Sequence, residues 1–144
     1  MNMPRQISAV AAAAATIGLC ALPASAATTD AAHPSEGSFT VPSANSEVKA
    51  WGSYAFTTHD GENVVKVTVC AEKSGGASFV VGEAEAYNSS GAVAGTVAAV
   101  VGPQTPGLRA CGTAYLDGTA HLKVFSEVAS GSKIVAKSGL KSIY

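Results

Sequence analysis

Glu83 and Glu85 are the residues whose type and spacing come nearest to a reaction. On an extended segment their side chains share one face, roughly 7 Å apart at ~3.3 Å rise per residue. Glycosidases hold a carboxyl pair at about that range. Such pairs, however, sit in a cleft and come from different elements. On an open sheet the two carboxylates would instead answer Lys66 or Lys123 across the strands, and that reading is adopted.

The three histidines, His33, His59 and His121, are not spaced as ligand pairs on a helix or strand. Serines are plentiful, so a Ser-His-Asp site assembled only in space stays open, with His59 or His121 as its base. The chain has no Gly-x-Ser-x-Gly elbow and no phosphate-cradling glycine loop. The cysteines have no histidine or further cysteine at metal-ligand spacing. Neither a metal nor a cofactor is expected, and no catalytic residue is assigned.

Trp51 is the single tryptophan. Near a disulfide it would be a core residue, as in immunoglobulin-type sandwiches. Gly52 beside it could bend the strand and turn the indole inward, and a buried Trp51 is expected. Alternation by itself puts Trp51 on the polar face. There it would join Tyr54 and Tyr87 as a candidate surface for stacking sugar rings or anchoring a protein partner. A second candidate is the rigid connection from Gly102 to Gly107. Its residues Pro103, Gln104, Thr105 and Pro106 could be presented to a protease, although proline and glycine also make any wide turn. Asn88-Ser89-Ser90 matches an N-glycosylation acceptor.

The elements that must position these residues begin with Val64 to Cys70. Val65, Val67 and Val69 alternate with Lys66, Thr68 and Cys70, the period of a half-buried strand. Its expected partner is Ala110 to Leu116. Of the three cysteines, Cys20 lies in a leader, which leaves Cys70 and Cys111 to pair. Closing that loop removes denatured-state entropy worth about 4 kcal/mol, a large share of the roughly 5–15 kcal/mol that stabilises a domain.

The leader itself is read from Arg5, an uncharged apolar run from Ile7 to Leu22, and small residues at Ala24-Ser25-Ala26. This is a secretory signal peptide over 1–26. Its apolar run falls short of the ~20 residues that span a bilayer, so no membrane span is expected in the mature chain. Cleavage removes 26 of 144 residues and leaves 118, with eight basic and ten acidic side chains. No basic stripe suggests a nucleic-acid partner, and no cationic cluster suggests an anionic membrane. Residues 27–46, rich in Ala, Ser, Thr and Pro, read as a flexible arm.

The remaining stretch, 47–144, holds the domain. In the mature chain valine occurs fifteen times against four leucines and two isoleucines, a bias toward strands. Turn signals recur at Asp60-Gly61, Ser74 to Gly76, Asn88 to Gly91, Gly102 to Gly107, Asp117-Gly118 and Ser130-Gly131. The spacing predicts hairpin-joined strands over Glu47 to Phe56, Val64 to Ala71, Ser78 to Tyr87, Val93 to Val101, Arg109 to Leu116, Ala120 to Val128 and Lys133 to Lys137, with Leu140 to Tyr144 as a possible extension. The fold expected is all-β: one antiparallel β-sandwich, or small barrel, of about seven strands with one disulfide. Alternation places Val48, Ala50, Gly52, Tyr54 and Phe56 on one face. It places Phe79, Val81, Glu83, Glu85 and Tyr87 on another, and it turns Leu122, Val124 and Val128 inward against His121, Lys123, Phe125 and Glu127 outward.

The alanine-rich leader, the Ala/Gly/Val bias and a two-cysteine β domain closing on Lys141-Ser142-Ile143-Tyr144 resemble the small secreted proteins of actinobacteria in layout. The resemblance implies export and transfers no residue role. The function expected is that of a small exported, non-enzymatic protein, an extracellular or cell-surface binding or structural module. Its partner would be a protein or carbohydrate at the cell exterior. The alternatives are an inhibitor of a secreted hydrolase, a protease or amylase, acting through the Gly102 to Gly107 loop, and a small secreted hydrolase.

Overall fold

The computed structural model describes residues 33–76, 78–103 and 106–144. The leader expected over 1–26 and the first part of the arm, 27–32, lie outside the described residues. The described chain is all-β. Its strands are β1 (Glu36–Val41), β2 (Val48–His59), β3 (Glu62–Lys73), β4 (Phe79–Tyr87), β5 (Val93–Val101), β6 (Arg109–Leu116), β7 (His121–Ser130), β8 (Lys133–Lys137) and β9 (Lys141–Ser142).

They form two antiparallel sheets packed as a sandwich. One is four-stranded, in the order β1-β2-β3-β6; the other is five-stranded, in the order β5-β4-β7-β8, with β9 also paired to β7. The β2–β3 hairpin turns at Asp60 and Gly61, both at positive φ (52° and 84°). That pair of conformations is the tight turn whose twist matches the strands it joins, and Asp-Gly supplies it at low cost. The segments Ser74 to Gly76, Gly102 to Gly107 and Asp117-Gly118 join strands of different sheets and are not the hairpin turns expected. A two-residue turn signal marks a reversal of the chain, and only the register of the partners decides which sheet the next strand joins.

The inward faces follow the period of two. Val65, Val67 and Val69 from β3 are fully buried against Val80, Ala84, Leu122, Val124 and Val128 of the other sheet. Each buried valine contributes roughly 1.5 kcal/mol or more. At one edge the sheets close on each other, because a side chain at Gly112 of β6 would strike the Ala98 carbonyl of β5. At the other end Tyr144 packs on Tyr54 (ring centroids 4.9 Å) and Phe56 (5.2 Å), and its carbonyl accepts from the Leu122 amide at 3.2 Å.

Part of the arm expected over 27–46 is corrected. Residues 36–41 are β1, paired along β2 from Glu36↔Ala55 to Val41↔Ala50. Its Phe39 and Val41 are buried, while Ser38 and Thr40 face out. Two apolar residues in alternation suffice because serine and threonine are at home on the solvent side of a strand. Pro42 ends the pairing, and the connection that follows is held from the opposite sheet. Ser126, fully buried on β7, donates to the Pro42 carbonyl (2.6 Å) and accepts from the Ala44 amide (2.8 Å).

One other expectation changes, and one buried charge is found that the sequence did not announce. Phe125, expected outward, is 2% exposed, because the Lys137 ammonium lies 4.3 Å from its ring centroid and covers it. Lys73, at the end of β3, is fully buried. Its Nζ donates to the Ser78 carbonyl at 2.6 Å and stands 3.9 Å from Glu47 Oε1. Its backbone receives the Gly107 amide and donates to the Leu108 carbonyl. One buried cation thus gathers three connecting segments, since a charge out of water persists only where partners satisfy it.

Candidate functional site

The outward face of the four-stranded sheet is built by the register of its strands. Four rows cross it. Glu36, Ala55, Lys66 and Tyr115 form the first; Ser38, Ser53, Thr68 and Thr113 the second; Thr40, Trp51, Cys70 and Cys111 the third. Lys49, Glu72 and Arg109 form the fourth, over β2, β3 and β6. Neighbours within a row lie ~4.8 Å apart, and successive rows ~7 Å apart. Among the described residues no strand covers this face, and most of its side chains are exposed.

The disulfide Cys70–Cys111 links directly opposed residues of β3 and β6, with Cα atoms 4.0 Å apart. It lies on the outward side, opposite the valines. Next to it in the row stands Trp51, half-buried, with the Arg109 guanidinium 5.2 Å from its ring centroid. Arg109 Nη2 also donates to Glu72 Oε2 at 3.0 Å. Two rows away Tyr115, 44% exposed, carries the Lys66 ammonium at 5.8 Å and stacks on His59 at 4.0 Å with the rings parallel to 1°. Between the two aromatics runs the row of hydroxyls, with Thr68 Oγ1 and Thr113 Oγ1 hydrogen-bonded at 2.9 Å. At the β1 edge, Lys141 Nζ donates to Thr40 O (3.1 Å) and Oγ1 (3.2 Å). Two shallow depressions meet at Ser38. One of about 580 Å³ touches Thr40, Trp51 and Lys141, and one of about 610 Å³ touches Glu36, Ser53, Lys66 and Thr68.

The tryptophan expected in the core is therefore on the surface of the sheet. Gly52 does not turn it inward. A side chain at Gly52 would strike the Thr68 carbonyl, and the Phe39 ring of β1 fills the space on its inward side. Phe39 takes the place beside the stapled pair that a buried Trp51 would have needed. Tyr54, the second member of the candidate trio, is core: 6% exposed, against Phe56 and Tyr144. Tyr87, the third, faces out from the other sheet, where it donates to Glu85 Oε1 at 2.6 Å and holds the Lys123 ammonium at 4.9 Å. The trio is split among three environments and makes no common platform. Tyr115, which the expectation omitted, is the second outward aromatic of this face. Alternation of Arg109, Cys111, Thr113 and Tyr115 carried that signal.

Glu83 and Glu85 face outward from the five-stranded sheet, Glu85 opposite Lys123 and Glu83 opposite Phe125. Burial holds the Glu83 carboxyl above its ordinary range, helped by Glu127 and Glu85 and opposed by Lys137. His59 lies 3.5 Å from Asp60 and is committed to the Tyr115 stack, while His121 is exposed on β7. Of the proposed inhibitory loop, Pro103 and Pro106 are described, and Gln104 and Thr105 lie outside the described residues. Asn88 Oδ1 accepts from the Ser90 amide, the Ser90 hydroxyl and the Ala92 amide, which shapes the turn between β4 and β5. Among the described residues, no group of three or more His, Cys, Asp or Glu could hold a metal, and no helix is long and apolar enough to cross a membrane.

Chemically, the face offers hydroxyl donors and acceptors in a straight row, two aromatic rings and several cations on a backbone braced by the disulfide. That combination suits recognition of a polar, extended ligand. No protein-family model, curated protein or solved structure matches the chain.

Proposed function

We propose that the protein is a small exported, non-enzymatic binding module that uses the outward face of the four-stranded sheet to hold a carbohydrate or another polar partner at the cell exterior. One observation carries this reading: Trp51 stands outward next to the stapled strand pair and beside an unbroken row of four hydroxyls, with no strand above it among the described residues. Rings and hydroxyls on a rigid sheet recognise sugars by stacking and hydrogen bonding together, and rigidity limits the entropy lost on binding. Export rests on the leader read from the sequence, and a disulfide persists in the oxidising compartment to which such a leader directs a chain.

A depletion assay tests the proposal. The purified, oxidised protein is mixed with insoluble cell-wall material, chitin, cellulose and starch, and the fraction left in solution is measured. Selective loss onto one solid, abolished by Trp51→Ala, is the expected outcome. Retention on none of them would sink the carbohydrate-binding reading.

A further inference from the structure

We infer that the ligand of this face is an anionic polysaccharide, a polymer whose sugar or polyol units carry carboxylate or phosphate groups. The inference rests on the proposed binding role of the face and names the chemistry it selects. Both outward aromatics carry a cation: Arg109 lies 5.2 Å from the Trp51 centroid and Lys66 lies 5.8 Å from that of Tyr115. A neutral sugar would have to displace the guanidinium to stack fully on Trp51. An acidic unit meets ring and charge together, because its carboxylate or phosphate pairs with the cation that already lies on the ring.

The charge balance of the face points the same way. Its cations are Lys49, Lys66, Arg109 and Lys141; its carboxylates are Glu36 and Glu72 within the four rows, with Glu62 farther along the same side of β3 and Asp60 and Asp117 beside it at the Tyr115 end. Glu72 is engaged by Arg109. Among the described residues, Lys49, Lys66 and Lys141 stand within ion-pair distance of no carboxylate. The whole chain has a formal net charge of −1, so the excess of cations across the four rows is a local separation of charge, closed at the hairpin end by the acids beside Tyr115. On the opposite face, Glu83, Glu85 and Glu127 outnumber Lys123 and Lys137. Trp51 and Tyr115 are four positions apart along the strand direction and two strands apart, roughly 16 Å at the usual sheet spacings. That distance suits several units of a chain running diagonally across the hydroxyl row, rather than one sugar.

The test uses soluble polymers matched in backbone and differing in charge. Polygalacturonate and its fully methyl-esterified form share a backbone, and poly(glycerol phosphate) supplies phosphate in place of carboxylate. Polyglutamate is a polyanion without sugar or polyol. Binding is read from the emission of Trp51, the single tryptophan, and by sedimentation. The expected result is saturable binding to polygalacturonate or to poly(glycerol phosphate), and whichever binds identifies the anion. The methyl ester should bind about tenfold more weakly or less, and affinity should fall as salt rises. Lys66→Gln with Arg109→Gln should weaken binding at an unchanged unfolding midpoint, whereas Lys123→Gln on the other face should not.

Equal binding of the acid and its methyl ester would overturn the anionic claim and leave the binding module standing. Equal binding of polyglutamate would overturn recognition of a glycan in favour of simple charge. Loss of binding in Lys123→Gln but not in the double variant would overturn the placement. Retention on a neutral solid with no binding to either anionic polymer would overturn this inference alone, and binding to nothing in either assay would remove the proposed function as well.

Discussion

The two outward faces of the sandwich are made by the same alternation and differ in what the register sets side by side. On the five-stranded sheet the polar groups satisfy one another. Lys137 pairs with Glu127 at 3.0 Å and lies over Phe125, and Tyr87 donates to Glu85 and holds Lys123 over its ring. On the four-stranded sheet Arg109 and Glu72 pair, but among the described residues Lys49, Lys66 and Lys141 stand within ion-pair distance of no carboxylate, and Ser38 and Ser53 extend the hydroxyl row into solvent. A face whose cations and tyrosine are already engaged has less left with which to hold a partner. A face with free cations and a straight row of hydroxyls has much more. The difference lies in cross-strand pairing, which is a property of topology and cannot be found by counting residues.

The largest effect expected from breaking this contrast is loss of the staple, which braces only one of the two sheets. Cys70→Ser with Cys111→Ser should lower stability by about 4 kcal/mol, read from urea unfolding of the oxidised protein and of the variant. Next come neighbours on opposite sides of β3. Val67→Ala should cost about 2 kcal/mol by opening a cavity and leave ligand retention intact at temperatures where the variant is folded. Thr68→Ala should cost under about 0.5 kcal/mol and weaken retention, which would separate the core side from the binding side one residue apart. Third, Trp51→Ala should reduce retention by about tenfold, near 1.4 kcal/mol, while Tyr87→Ala on the other face should leave it unchanged.

The smallest effect belongs to the self-satisfied face and depends on pH. Burial, then Glu127 and Glu85, raise the Glu83 carboxyl above its ordinary 4.5. Between that value and the raised one, the folded state keeps a proton that the unfolded chain has released. Stability therefore falls as pH rises through that window and stays lower above it. Glu83→Gln cannot ionise and should not show this decline. The difference in urea midpoint, variant minus wild type, should be larger at about pH 7 than at about pH 3. A difference that does not change with pH would show that Glu83 titrates alike in both states.

Much of this was legible in the chain. The alternation in β3, the Asp60-Gly61 turn and the cysteine pair are local signals, and the structure has the strand, the hairpin and the disulfide where they point. Alternation also placed Trp51 outward correctly. The expectation of a core tryptophan came from supposing that a disulfide needs a large ring behind it, and Phe39 supplies that ring from a strand hidden in a Ser/Thr/Pro-rich segment. The convergence of Lys49, Lys66, Arg109 and Lys141 could not be read along the chain. They lie on four different strands, and only the β1-β2-β3-β6 order and the docking of β9 bring them to one face. Tyr54, three positions from Trp51 on β2, faces the core, and Tyr87 faces out from the other sheet.

The central claim is that the face carrying Trp51, and not its counterpart, holds the ligand. Amide chemical-shift mapping tests this most directly, with soluble fragments of whichever polymer the protein retains. The account predicts shifts concentrated at Ser38, Ser53, Thr68 and Thr113 and at the neighbouring Trp51 and Arg109. Shifts concentrated instead at Glu83, Glu85 and Lys123, or at the Gly102 to Gly107 loop, would contradict it.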